Sequence, residues 1–483
     1  MKKTFAISTL IPIMLMTGCS QIPTYQKPKT ELPTQQSLQQ HQANISMQLG
    51  LDEKSWFEQL SGDQTLFQLT NEALLHNSDI QLARLNLEQA RLLLQQSKSA
   101  QYPELNLSGE LARTQTNDNM YPLDNGATFG QFSLGALLSY ELDIWGRVDA
   151  LKQQAQATYY ATQADQKTVK LSVSAAVANA YLNLMALNQT VRLAENTVKS
   201  RKETLDLRQT QLEYGSTTPL NVHQAESELA AVEIALQQQL EQRDLQLNAL
   251  AVLVGRSAKS LVEMTSDTFK TKELSTFDSL PVPDGLSSKL IERRPDIVAM
   301  EQRLIAANAN IGVAKASLFP SISLTGLLGF QSESLNQLFS DQSIGWNASA
   351  AINAPIFDYG KRQSQVKLSE AQQQAMAIQY QQTIRTAFKE VLDALTQLKA
   401  SSKQLEAQQR QVNALKQILQ LSQTRFDAGY SSYLEVLDAQ RNLFSSELAQ
   451  VSMKRNHSTA LVNLYKALGG NWEEIQDEEV QGK

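Results

Sequence analysis

Apolar and polar residues alternate in four places along this chain; along its long runs the apolar residues recur every three or four positions. In "PELNLSGELAR", Leu105, Leu107 and Leu111 share one face against Glu104, Asn106, Ser108 and Glu110. "FSLGALLSYEL" does the same with Phe132, Leu134, Ala136, Leu138, Tyr140 and Leu142. Further on, Ile322, Leu324, Gly326, Leu328 and Phe330 alternate with Ser321, Ser323 and Thr325. Trp346, Ala348, Ala350, Ile352 and Ala354 alternate with Asn347, Ser349 and Asn353. Period two over such lengths predicts strands, and the polar stretches 114–128 and 332–344 predict their loops, giving hairpins 104–113/129–143 and 321–331/345–357. One-sided apolar strands fit two settings. In a soluble sandwich the apolar face is core; in a membrane barrel it meets lipid while the polar face lines a lumen. Strands of about ten residues match the bilayer-crossing length. Since a small barrel needs about eight strands, the barrel setting requires strands pooled between subunits.

The other period is helical. From Arg147 to Glu213, and again from Lys361 to Asp427, there is neither proline nor glycine. Each run makes a helix about 100 Å long at 1.5 Å per residue, longer than a compact core requires. Leu171, Val177, Leu184, Leu187, Val191, Val198, Leu205 and Leu212 follow a coiled-coil seam, with Ala175, Ala176, Ala178 and Ala180 allowing close packing. The stretch "YGSTTPLNVHQAES" (Tyr214–Ser227) then reverses the chain. Gly215 suits the left-handed end of one helix, Thr218 the N-cap of the next, and Pro219 its first turn. "AGYSSYLEVLDAQR" (Ala428–Arg441) does so again with Gly429, and Ser432 to Glu435 fits a capping box.

That return is part of a duplication. Gly146 and Gly360, Trp145 and Tyr359, Val177 and Val391, Leu205 and Leu419, and Gly255 and Gly469 all lie 214 residues apart. Upstream the offset is 217, matching Ser78–Ile80 to Pro295–Ile297 and Tyr102-Pro103 to Phe319-Pro320. Two homologous halves are expected, 62–255 and 284–469, with a linker at 256–283 and a tail at 470–483. Each opens with a helical run, Asp63–Ala100 or Leu286–Leu318, and ends in a long hairpin, 146–255 with its tip at 214–220 or 360–469 with its tip at 428–434. Periods this long mean duplicated domains, not a short-repeat solenoid.

Composition narrows the function. The 483 residues include 12 Pro and 20 Gly and carry a net charge of −6 without a basic run, so nucleic acid is not an expected partner. The only cysteine, Cys19, excludes a disulfide framework and a cysteine metal site. It closes "MKKTFAISTLIPIMLMTGC", which has the layout of a secretory signal over residues 1–18. Its small-small-Cys ending resembles the bacterial lipoprotein processing box, which implies that Cys19 is lipidated. Ser20 after it fits the outer membrane. Residues 19–61, with Pro23, Pro28 and Pro33, read as an extended tether. His41, His76, His223 and His457 stand singly, so neither a catalytic site, a cofactor nor a metal is expected. A periplasmic adaptor or structural coiled-coil lipoprotein is the rival class, but an adaptor carries one helical hairpin flanked by small soluble β-domains.

Together "ELDIWGRV" (Glu141–Val148), "RRPDI" (Arg293–Ile297) and "AGYSSYLEVLDAQR" resemble the outer-membrane efflux-channel family, the outer membrane factors of tripartite pumps. The resemblance implies an α+β membrane protein: a homotrimer whose four strands per subunit make a twelve-stranded transmembrane barrel, continued by a periplasmic α-helical barrel. It implies a passive gated duct for drugs and other small molecules, set in outer-membrane lipid. Its partners would be a periplasmic adaptor and an inner-membrane RND-type transporter; metal-ion efflux or type I protein secretion are alternative cargoes. Leu434, Glu435 and Asp438 match the family's constriction positions, and spacings of three and four put them on one helix face. Three-fold symmetry would gather the acids into a ring that attracts cations and repels anions. Gly215, Thr218, Pro219, Leu220, Gly429, Ser431 and Ser432 would form the adaptor-contact tips. Ser431 stands where some members carry an arginine. The first copy has Leu220, Asn221 and Gln224 at the gate positions, although acids in a first helical turn also favour the helix dipole.

Overall fold

A computed structural model describes residues 20–28, 63–115, 128–257, 260 and 294–470. Cys19 and most of the linker lie outside the described residues. The first copy runs α1 (Gln64–His76), α2 (Ser78–Ser99), β1 (Glu104–Gln115), β2 (Thr128–Leu142), α3 (Arg147–Glu213) and α4 (Pro219–Leu253). The second runs α5 (Pro295–Ala316), β3 (Ser321–Ser332), β4 (Ile344–Asn353), α6 (Lys361–Asp427) and α7 (Tyr433–Ala467). Both α3 and α6 have 67 residues, and both α4 and α7 have 35. No described helix is long and apolar enough to cross a membrane.

The helix expected over Asp63–Ala100 is two helices. Asn77 breaks it by adopting an extended backbone, its Oδ1 accepting from the N–H groups of Asp79 (2.9 Å) and Ile80 (3.2 Å). Here the side chain offers the backbone an alternative to the helical ladder. The Asn77 amide also donates to Leu253 O at the end of α4 (2.8 Å). In the second copy Arg294 stands at the equivalent place, 217 residues on, and its Nη1 donates to Ala467 O at the end of α7 (2.7 Å). Different side chains thus satisfy the same orphan carbonyl in each copy.

The strands form one antiparallel sheet, β1-β2-β3-β4. In both hairpins the register is the same: Glu104 faces Ser139, and their equivalents Ser321 and Asn353 face each other. The seam between copies pairs β2 with β3, where Leu142 faces Ile322 and Gly135 faces Gly329. β4 ends at Asn353 rather than at 357. Pro355 has no N–H to give a ladder, and β3 begins at Ser321, opposite Asn353. Leu105, Leu107, Leu111, Trp346 and Ile352 are exposed, and no second described sheet covers them, which removes the sandwich setting. β1 and β4 are both edges.

Two compact units divide the chain, and each draws on both copies. Among the described residues, one is built from 20–28, 87–115, 128–162 and 299–380; the other takes 63–86, 163–257, 260, 294–298 and 381–470. Within the first, the described part of the expected tether is packed instead of free. Ile22 lies against Gly312, Pro23 O accepts from Asn308 Nδ2 (2.7 Å), and Lys27 pairs with Glu301 (3.0 Å), so the strap lies along α5.

A Cβ at Gly329 would fall 2.5 Å from Gly135 Cα, whereas one at Gly345 would meet nothing within 4 Å. Gly329→Val is therefore expected to cost upwards of about 3 kcal/mol and to prevent a protease-resistant sheet from forming. Gly345→Val should leave it intact. Trypsin digestion followed by mass mapping of residues 104–353 checks both.

Candidate functional site

The site is built at the two helical turns. Gly215 has φ +71° and Gly429 φ +79°, values that an L side chain adopts only with strain. The glycine N–H groups donate to Leu212 O (3.0 Å) and Phe426 O (2.9 Å). Ser216 and Tyr430 N–H groups donate to Gln211 O and Arg425 O, both at 2.8 Å. This is the paired bond pattern of a Schellman turn, which satisfies the last carbonyls of α3 and α6. The next helices start without side-chain caps. Thr218 and Ser432 occupy the N-cap positions, yet neither makes a capping hydrogen bond. The expected capping box is absent, and the Glu435 N–H bonds the Ser432 carbonyl instead (3.2 Å).

A small apolar core holds the turns. Ala225, Tyr433, Val436 and Leu437 are buried together, with Leu205, Leu419 and Phe426 against them. Val436 and Leu437 take the inner face of α7, so Leu434, Glu435 and Asp438 are left exposed on its outer side. The three residues at the expected constriction therefore lie together, and none is used to pack the helix. Gly215, Thr218, Pro219, Leu220, Gly429 and Ser432 are exposed as well, with Ser431 half-buried.

Charge in the apolar seam ties the hairpins to one another. Arg208 of α3 is buried, its guanidinium 4.6 Å from the Phe426 ring centroid and 4.5 Å from that of Tyr433. A cation held out of water against two rings contributes on the order of 2 kcal/mol. Glu228 of α4, 4 % exposed, receives Arg441 of α7 at 2.7 Å from Nε, with Nη2 also on the same oxygen. Its hydrogen bonds with Glu228 hold the Arg441 guanidinium above its ordinary range. Arg441 also lies 3.6 Å from Asp438, linking the exposed acid to the buried one. Arg201 is buried nearby, and loss of water pushes its guanidinium down despite the opposing field of Glu228.

Sequence reading did not pick out Arg201, Arg208, Glu228, Tyr433 or Arg441. A signal was present. Arg201 and Arg208 are seven residues apart and sit among Val198, Leu205 and Leu212, so they interrupt an otherwise apolar stripe. A charge on the seam of a long helix marks a paired or stacked site, because an isolated one would be too costly to bury.

The "Outer membrane efflux protein" family model matches residues 69–256 and again 286–470. The chain is 35% identical over 472 residues to the probable efflux pump outer membrane protein TtgC of Pseudomonas putida, covering 97% of this chain and 96% of that protein. It is 33% identical over 463 residues to the cation efflux system protein CusC of Escherichia coli, covering 95% and 97%. Its structure superposes on that of CusC with a TM-score of 0.82 at 32% identity (94% of this chain, 100% of CusC). On the Campylobacter jejuni CmeC outer membrane channel the TM-score is 0.86 at 26% identity (95% and 96%).

Removing Arg441 strands a buried carboxylate. Arg441→Ala is expected to loosen the turn by about 2 kcal/mol, less than the roughly 3–5 kcal/mol for a fully buried pair because the arginine is half in water. Amide exchange over the first turns of α7 should speed up roughly 30-fold, at about 1.4 kcal/mol per tenfold. Adding Glu228→Gln should recover part of that loss, since no unpaired charge then remains.

Proposed function

The chain belongs to the outer membrane efflux protein family, and from that premise we propose that it is a passive duct of a tripartite efflux pump whose gate is the outer face of the α7 tips. It works in the outer membrane as the exit component, so it needs a pump and an adaptor behind it. In this reading three copies pool their strands into a twelve-stranded barrel, since a four-stranded sheet has two open edges. The helices supply the periplasmic part, and the RND type of the transporter belongs to the reading too. Cys19 is the lipid attachment point. The curated relatives carry names for toluene, antibiotic and cation efflux; we assign small organic molecules as the cargo.

One observation carries the gate: Leu434, Glu435 and Asp438 share the exposed face of α7 while its packing uses Val436 and Leu437. Three copies around an axis bring three leucines and six carboxylates together. The leucines narrow and dry the passage; the carboxylates favour cations within it. The first copy, with Leu220, Asn221 and Gln224, turns the chain by the same hydrogen bonds without acids, so the turn does not require them. The exposed Gly215, Thr218, Pro219, Leu220, Gly429 and Ser432, with the half-buried Ser431, form the surface offered to the adaptor. Adaptor binding there loosens the Arg208 and Glu228–Arg441 contacts and lets the hairpins spread.

Leu434→Ala with Asp438→Ala is expected to raise single-channel conductance in planar bilayers roughly twofold or more, and to weaken selectivity for cations over anions. Glu435→Gln alone should alter selectivity with little change in conductance. Unchanged conductance in the double variant would take this face out of the gate.

A further inference from the structure

At the junction of sheet and helices, Trp145 of the first copy meets Phe319-Pro320 of the second. The Trp145 ring stacks on Phe319 with centroids 4.6 Å apart and planes at 18°, and its indole N–H donates to Pro320 O at 2.8 Å. The duplication supplies a second set of the same parts. Trp145 corresponds to Tyr359, and Phe319-Pro320 corresponds to Tyr102-Pro103. In this second set nothing meets. Tyr359 is 94 % exposed and Tyr102 71 %. Tyr359 is also the one described non-glycine residue with positive φ, at +52°. That conformation costs about 1–2 kcal/mol for an L residue, and among the described residues of its own chain none packs on its ring, which is 94 % exposed.

The strands repeat the situation. Trp145 follows β2, which pairs with β3 of the other copy. Tyr359 follows β4, an edge, and Tyr102 precedes β1, the opposite edge. Moving the β2–β3 register by the two offsets of the duplication gives the register in which β4 would meet β1. The pair Leu138–Gly326 becomes Ile352–Gly109 and Ala136–Leu328 becomes Ala350–Leu111, while Leu142–Ile322 projects to Leu105 and to Ile356, beyond the end of β4. Apolar residues face apolar ones at these positions; nearer the loop end the same register sets Ala348 against Arg113 and Trp346 against Gln115. A slip of one residue would set Ile352 against Ser108 or Glu110 and turn one strand's apolar face to the other side.

We propose that Tyr359 stacks on Tyr102 of the partner subunit, and that beside this clasp β4 pairs with the partner's β1 so that Ala350 lies opposite Leu111 of the partner subunit and Ile352 opposite Gly109 of the partner subunit. The occupant is a second copy of this chain, because only this chain carries the missing half of its own repeated contact. The clasp deepens the trimeric-channel reading and rests on it. It fixes which of the registers two residues apart is used, since those leave the apolar faces matched and differ only in where the aromatic rings fall.

With Cys19 the only native cysteine, paired substitutions in the full chain give a direct test. Directly opposed positions place Cβ atoms about 4.5–5.5 Å apart, close to disulfide reach, while a two-residue slip separates them by about 7–8 Å. Ala350→Cys with Leu111→Cys should oxidise to covalently linked subunits in the detergent-purified protein; Ala350→Cys with Arg113→Cys should not. Cross-linking of the second pair, or of neither, overturns the register. Separately, Tyr102→Ala and Tyr359→Ala should each lower the temperature at which the trimer dissociates in SDS, and the double variant should lose less than the sum. Additive losses overturn the clasp. An unmodified chain that runs as a monomer in mild detergent would instead sink the trimer reading itself, so the two failures are distinguishable.

Discussion

A sheet of four strands whose apolar face is turned outward has two rows of unpaired backbone groups, on β1 and on β4. In water such edges are a hazard; in hydrocarbon they are forbidden, because each unpaired N–H or C=O there costs several kcal/mol. The sheet belongs to an outer-membrane protein, so closure has to come from further copies of the same edges. Most other features answer to that demand. The β2–β3 seam inside one chain already shows how two copies of the repeat join, with Gly135 and Gly329 letting the backbones approach closely.

Duplication makes clear which features the fold requires. The Schellman turns at Gly215 and Gly429 have the same bonds. The last carbonyls of α4 and α7 are met by Asn77 and Arg294, side chains of different chemistry reaching equivalent atoms. Where chemistry differs and geometry does not, the geometry is what the fold requires. The α4 and α7 starts differ the other way: the same turn is followed by Asn221 and Gln224 in one copy and by Glu435 and Asp438 in the other. Packing does not explain that difference, since these acids are exposed.

The turn core shows why such a hairpin can be both firm and releasable. Packing of Arg208 over the adjoining Phe426 and Tyr433 rings, and the Arg441–Glu228 pair, join α3, α4, α6 and α7 through charge instead of a larger apolar surface. Buried pairs of this kind add little net stability against a hydrophobic alternative, but they are costly to break one side at a time. They therefore define one arrangement sharply. A partner that supplies compensating polar contacts can exchange that arrangement for another at small net cost.

Both periods could be read directly, because they are local. Alternation marked the four strands, and the runs free of proline and glycine marked α3 and α6 from Arg147 to Glu213 and from Lys361 to Asp427. Gly215 and Gly429 were legible as left-handed turns for the same reason. The break at Asn77 was not, since its amide is held by Leu253, a residue 176 positions away. Nor was the empty N-cap at Ser432: whether a serine hydroxyl turns inward depends on what packs around it. Arg208 and Glu228 were not picked out, because the aromatic rings and Arg441 set against them come from other helices. Sequence alone thus determined the elements and their repetition, which depend on neighbours in the chain. Only the tertiary structure decided which charges are buried and which acids stay exposed, because those depend on residues brought together from all four long helices.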